Sequence, residues 1–126
     1  MVSPLKKSTV VMADDHPAHL AQVLQILNDE FEILAMASDG ETALNTALAL
    51  QPDIVILDFA MPRRNGIQTA RELRKRGFRS AILFLTIQAD PDYMEVLADL
   101  GAGYVSKLKM QTELVPAIRA ALAKQR

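Results

Sequence analysis

Five short apolar runs punctuate this chain, and each is followed by a longer stretch in which apolar residues recur three and four positions apart. Runs of the first kind suit strands covered on both faces, and stretches of the second suit helices with one buried stripe. The alternation therefore dictates repeated β-α units on a parallel sheet, an α/β fold. The predicted strands are Thr9 to Ala13, Ile33 to Ala37, Ile54 to Leu57, Ala81 to Leu85 and Gly103 to Ser106. The helical stripes are Leu20, Val23, Leu24 and Leu27; Leu44, Ala47 and Leu48; Ile67, Ala70 and Leu73; Tyr93, Val96, Leu97 and Leu100; and Leu114, Ile118, Ala121 and Leu122. With 126 residues, half of them hydrophobic, there is material for one core. Trp is absent and other aromatics are few, so that core is aliphatic, pressed between helix and sheet.

Turn and cap residues mark the limits. Pro17 after His16 and Pro91 after Asp90 stand as first-turn prolines behind N-caps, while Gly77 and Gly101 stop helices. Pro116 falls in the last stripe, where a proline costs about 3 kcal/mol unless it lies in the first turn. A helix beginning near Thr112 is the consequence. Met12, Met36 and Met94 sit in apolar stripes and are expected in or near the core. Residues 1 to 7 read as a flexible lead-in, 8 to 124 as the domain, and 125 and 126 as the end of the last helix or the start of a linker.

Several function classes are closed off by composition. Without cysteine there are no disulfides and no thiolate metal sites, in keeping with a reducing compartment. No apolar run reaches the roughly 18 residues that span a bilayer, and the opening MVSPLKK lacks the apolar stretch of a signal peptide, so a cytoplasmic location is expected. A formal charge of -1 supplies no drive toward nucleic acid or an anionic membrane. The cluster Arg71, Arg74, Lys75, Arg76 and Arg79 reads as a solvated helix face and its exit.

In open α/β sheets, ligands bind beyond the carboxyl ends of the strands, where the strand order reverses. Asp14 and Asp15 follow the first strand, and Asp58 follows the third, ahead of the turn residues Pro62, Asn65 and Gly66. If the order is 2-1-3-4-5, these strands are neighbours and three carboxylates crowd one point. Two carboxylates 4 Å apart repel by about 4 kcal/mol at an effective dielectric of 20, so a cation is expected among them. Magnesium suits all-oxygen ligands and bridges carboxylates to phosphate, whereas two histidines are too few for a zinc site of the usual kind. Taken alone, the acidic pair reads equally well as a solvated strand-to-helix cap. Thr86 and Lys107 end the fourth and fifth strands on the same rim, a hydroxyl and an ammonium suited to hold phosphoryl oxygens.

In this order and spacing, ADDHP, VILDFAMPRRNG, LFLT and GAGYVSK resemble the signature segments of receiver domains in two-component signalling, over nearly the whole chain. The resemblance implies the flavodoxin-like receiver fold, five parallel strands in the order 2-1-3-4-5 with five helices on both faces. It implies phosphotransfer from a sensor histidine kinase to Asp58, with Mg2+ (or Mn2+) on Asp14, Asp15, Asp58 and the backbone carbonyl of Ala60. Lys107 and Thr86 would hold the phosphoryl oxygens, and Tyr104 would be an aromatic switch that turns inward when Thr86 moves. Such a domain is a phosphorelay acceptor and not a conventional enzyme, although it assists its own phosphorylation and dephosphorylation. Its switched surface would be read by a second copy or a downstream partner. DDHP, ASDGETAL and ELVPAIRAAL are similar to the NarL/FixJ subfamily, whose receivers precede a LuxR-type DNA-binding output domain.

Some positions depart from the receiver pattern. Leu108 follows Lys107 where many receivers have proline, often after a cis peptide; Ile87 is bulky where a small residue is common; Ala60 and Gln88 occupy positions that tune phosphoryl lifetime. His16 and His19 read as cap and surface. Rival readings are separated by position. An aspartyl-nucleophile phosphatase of the dehalogenase-like kind carries DxDxT after its first strand, where this chain has DDHP. A flavodoxin-like nucleotide or flavin binder needs a phosphate loop there, which an acidic pair would repel. A degenerate receiver used only for protein contacts has no need of the full acidic and cationic set.

Overall fold

Side chains alternate across each strand, so a strand in mid-sheet is buried only if both of its faces are covered. In the computed structural model, which describes residues 7–87 and 91–125, the central strands meet that condition. The strands are β1 (Thr9–Ala13), β2 (Glu32–Ala37), β3 (Ile54–Leu57), β4 (Ala81–Thr86) and β5 (Ala102–Ser106). The helices are α1 (Pro17–Leu27), α2 (Gly40–Leu50), α3 (Gly66–Lys75), α4 (Met94–Asp99) and α5 (Met110–Ala123). Short 3-10 turns, Pro91–Tyr93 and Lys107–Lys109, lead into α4 and α5. All strand pairs are parallel, in the order β2-β1-β3-β4-β5.

Two cores lie on opposite faces of the sheet. Val10, Met12, Ile54, Ile56, Leu83 and Leu85 pack with Val23 and Leu27 of α1 and Leu114 and Ile118 of α5. Val55, Leu57, Ile82 and Phe84 pack with Leu44, Ala70, Leu73 and Leu97 from α2, α3 and α4. Each large aliphatic side chain so buried contributes about 1.5–3 kcal/mol, which outweighs the modest helix propensity of segments such as α4. β1 and β3 match the predicted bounds; β2 and β5 begin one residue earlier and β4 ends one later.

Some expectations fail for identifiable reasons. Met12 is buried, but Met36 is 49% exposed on the edge strand β2 and Met94 is 43% exposed at the start of α4, so neither belongs to the core. The last helix begins at Met110, with Pro116 in its interior. Met110, Leu114 and Ile118 bury one continuous stripe, and both Pro116 and Thr112, whose carbonyl loses its amide partner, are exposed to water. Arg74 is no solvated face residue. Its guanidinium donates to the carbonyls of Leu100 (2.8 Å), Phe78 (2.9 Å) and Ser80 (2.8 Å), tying α3 to the end of α4 and the start of β4. Partial burial holds its pKa below the ordinary arginine value. Gly77 and Gly101 do stop helices, with φ of 87° and 64°. His16 is the N-cap of α1 but makes no side-chain cap bond. The expected cap Asp90, the lifetime position Gln88 and most of the lead-in lie outside the described residues.

Candidate functional site

Two neighbouring strands deliver the acids. Ala13 of β1 pairs with Leu57 of β3, so Asp14 and Asp58, the next residue on each, emerge side by side. The backbone fixes both: Asp14 N–H donates to the Ala37 carbonyl (3.0 Å) and Asp58 N–H to the Ala13 carbonyl (3.1 Å). On the other side, Thr86 of β4 pairs with Ser106 of β5, the residue before Lys107. Asp14, Asp58, Thr86 and Lys107 are all buried, at 5%, 6%, 6% and 8% exposure. A solvated strand-to-helix cap is thereby ruled out for Asp14.

Lys107 organises the rim. Its Nζ lies 2.6 Å from Asp14 Oδ2, 3.1 Å from Asp58 Oδ2 and 2.9 Å from His19 Nδ1, so its three protons meet three acceptors. One buried ammonium thus bridges two buried carboxylates, the arrangement that their mutual repulsion requires. Burial would raise the Asp14 pKa, but the Lys107 ammonium and the N–H of His16, which donates to Oδ1 at 2.9 Å, outweigh it and hold this carboxyl below its ordinary value. Asp58 goes the other way. Burial pushes it up against the pull of Lys107, and the charge on Asp14 adds to the rise.

The remaining expected residues divide. Asp15 joins the rim with its side chain 35% exposed, and its carboxylate groups with those of Asp14 and Asp58 and with His16, one ligand atom from each lying within 4.8 Å of the others. Ala60 is exposed, and its backbone N–H works with Lys107 to lower the Asp58 carboxyl against the effect of burial. Tyr104 is not part of the rim. It pairs with Phe84 across the β4–β5 ladder, is 38% exposed, and lines a groove between α4 and α5 with Met94, Leu97 and Ala117. Ile87, 57% exposed, stands directly beyond Thr86. No described peptide bond is cis; after Lys107 the chain turns with Ser106 Oγ accepting from Leu108 N–H (3.2 Å).

His19 belongs to the rim and was not anticipated there. It sits three residues after His16, one helical turn along the same face, and that spacing is the signal that could have placed it. The oxygen-rich donor set, desolvated and served by a single ammonium, fits a hard divalent cation.

Residues 10–119 match the family described as the response regulator receiver domain. The chain is 38% identical over 113 residues to the DNA-binding transcriptional activator EvgA of Escherichia coli strain K12, covering 88% of this chain and 55% of that protein. It spans about half the length of the curated relatives it matches. Among solved structures, the signal receiver domain of NarL from Mycobacterium tuberculosis superposes with a TM-score of 0.88 at 29% identity, covering 94% of this chain and 98% of that one. A LuxR-family two-component response regulator from Aurantimonas sp. SI85-9A1 gives the same TM-score and identity, with 96% and 89% covered.

Proposed function

Because this chain belongs to the response regulator receiver family, and resembles its NarL-like, LuxR-type members, we propose that it accepts a phosphoryl group on Asp58 from a sensor histidine kinase. The observation that carries this reading is the buried Lys107 ammonium bridging Asp14 and Asp58 at the carboxyl ends of β1, β3 and β5. The Asp58 carboxylate, stripped of water by burial, attacks phosphorus; the bond to the donor nitrogen breaks, its electron pair stays on that nitrogen, and the donor leaves as neutral imidazole carrying the proton already on its other ring nitrogen. Lys107 stays on the rim as a counter-charge for the phosphoryl oxygens, and the Thr86 hydroxyl supplies a further donor. Asp14, Asp15, Asp58 and the Ala60 carbonyl would hold Mg2+ or Mn2+, which supplies charge neutralisation to the transferring group.

In this reading the switched surface is the face formed by α4, β5 and α5, where Tyr104 lies on the same side of the sheet as Thr86. A second copy or a downstream domain reads it, and the naming of a relative as a DNA-binding activator makes control of a DNA-binding output the reading for the whole protein. Residues 8–124 would be the receiver unit. The test is intact mass after incubation with acetyl phosphate and magnesium. One phosphoryl increment is expected, lost with chelator and lost in Asp58→Asn. An adduct on the Asp58→Asn chain would overturn the assignment.

A further inference from the structure

Two imidazoles stand beside the acidic rim, and the local backbone holds them in place. His16 caps α1, Pro17 fixes the first helical φ, and the His16 carbonyl accepts from the N–H of His19 (3.0 Å) and of Leu20 (3.2 Å). The rings therefore lie one turn apart, tilted by 44°, with centroids 4.9 Å from each other. Both face the same carboxylate: His16 Nδ1 is 3.3 Å from Asp14 Oδ1, and His19 Nδ1 is 3.5 Å from Asp14 Oδ2. One ligand atom each from Asp14, His16 and His19 lies within 4.8 Å of the others. Tetrahedral ligands at about 2.0–2.1 Å from a zinc ion are about 3.3–3.4 Å apart, so each imidazole stands near that spacing from one oxygen of Asp14, and a small turn of the carboxylate would bring all three groups onto one ion.

A second observation concerns which ion suits the place. His19 Nδ1 already faces a cation, the Lys107 ammonium at 2.9 Å, so as its acceptor the ring directs the Nδ1 lone pair into the site and carries its proton on Nε2. Imidazole nitrogen suits zinc, nickel, cobalt and copper, whereas magnesium demands oxygen ligands in near-octahedral array.

We propose that Asp14, His16 and His19 form a binding site for a borderline divalent transition-metal ion of the zinc class, with Asp15 or water completing the shell. The site overlaps the hard-ion site only at Asp14 and, when Asp15 is used, at that residue. On binding, the ion replaces Lys107 as the partner of Asp14 and His19, and the ammonium keeps its contact with Asp58, 3.1 Å away. The inference stands apart from phosphoryl transfer, since its distinguishing ligands, His16 and His19, have no part in the transfer and its probe needs no phosphodonor.

The test uses Co2+ as a spectroscopic stand-in and Zn2+ by calorimetry on the intact chain, beside a Mg2+ titration of the same samples. Wild type should show the intense visible bands of low-coordinate Co2+, displaced by stoichiometric Zn2+. In His16→Gln/His19→Gln those bands should vanish, and the ratio of Zn2+ to Mg2+ affinity should fall on the order of 100-fold. His19→Gln alone, which keeps one imidazole, should fall between. Equal Zn2+ to Mg2+ ratios in wild type and the double variant, or only the pale spectrum of octahedral Co2+, would overturn the proposal. Loss of acetyl phosphate labelling with the cobalt bands intact would fault the phospho-acceptor reading instead.

Discussion

Two segments leave the acid rim toward the same face of the sheet, and they are built differently. The one after β3 is tied down along its length. Arg63 pairs with Asp39, the cap of α2; Gly40 N–H donates to the Pro62 carbonyl; Arg64 pairs with Glu41; and Gly66 N–H donates to the Phe59 carbonyl at 2.9 Å. It then enters α3 through a full capping box, Asn65 and Gln68 each satisfying the other's backbone N–H. The segment after β4 enters α4, six residues long, through Tyr93, which makes no side-chain cap bond. Tyr93, Met94 and Tyr104 are all more than a third exposed there, with Tyr93 edge-on to Phe59 at the near end of α4 and Arg74 holding the Leu100 carbonyl at the far end. Exposed side chains and a short helix mark the part of a fold that opens at least cost. On the proposed reading, a charge change at Asp58 would therefore meet a fixed wall on the α3 side and a yielding one on the α4 side.

The largest expected effect sets one glycine from each side against the other. A Cβ at Gly66 would lie 2.1 Å from the Asp58 carbonyl oxygen, so backbone must move, and Gly66→Ala should cost on the order of 4 kcal/mol. At Gly101 the nearest atom would be 3.8 Å away and only the positive φ is at stake, so Gly101→Ala should cost about 1 kcal/mol. Urea titrations of the two variants decide it, and equal costs would break the comparison. Next comes Arg74→Met, which strands three carbonyls and should cost about 2 kcal/mol, with faster amide exchange at the end of α4.

Asn65→Ala removes the cap of α3 and should cost about 1 kcal/mol, while Tyr104→Phe on the yielding side should stay within about 0.5 kcal/mol by the same titration. The smallest effect is in acid. Asp14, held low, contributes stability that is present above the ordinary value of 3.8 and lost as pH falls through its folded pKa. Asp58, held high, works in reverse, since its protonation relieves a cost of folding. The two partly cancel, so acid should destabilise Asp58→Asn more steeply than wild type in a pH series of thermal melts.

The fold and most of the rim were legible because both follow from local pattern. Strand alternation fixes the sheet, and Asp14, Asp58, Thr86 and Lys107 each stand at a strand's carboxyl end, where a parallel sheet gathers them. What was missed depended on partners that residue pattern does not name. Arg74 is one of five basic residues between positions 71 and 79, and nothing local shows that it alone reaches the carbonyls of Phe78, Ser80 and Leu100. His19 meets Lys107 across 88 positions. Pro116 misled because the stripe of Met110, Leu114 and Ile118 that α5 buries outweighs the local cost of a proline on its exposed face.

The central claim, that the rim signals toward α4 and β5 and away from α3, is tested most directly by amide hydrogen exchange with and without beryllofluoride and magnesium, in wild type and Thr86→Ala. The account predicts changes across residues 91–106 in wild type, little change across 65–76, and changes held to the rim in Thr86→Ala. Wild-type changes confined to the rim, equal changes in α3, or undiminished transmission in Thr86→Ala would contradict it.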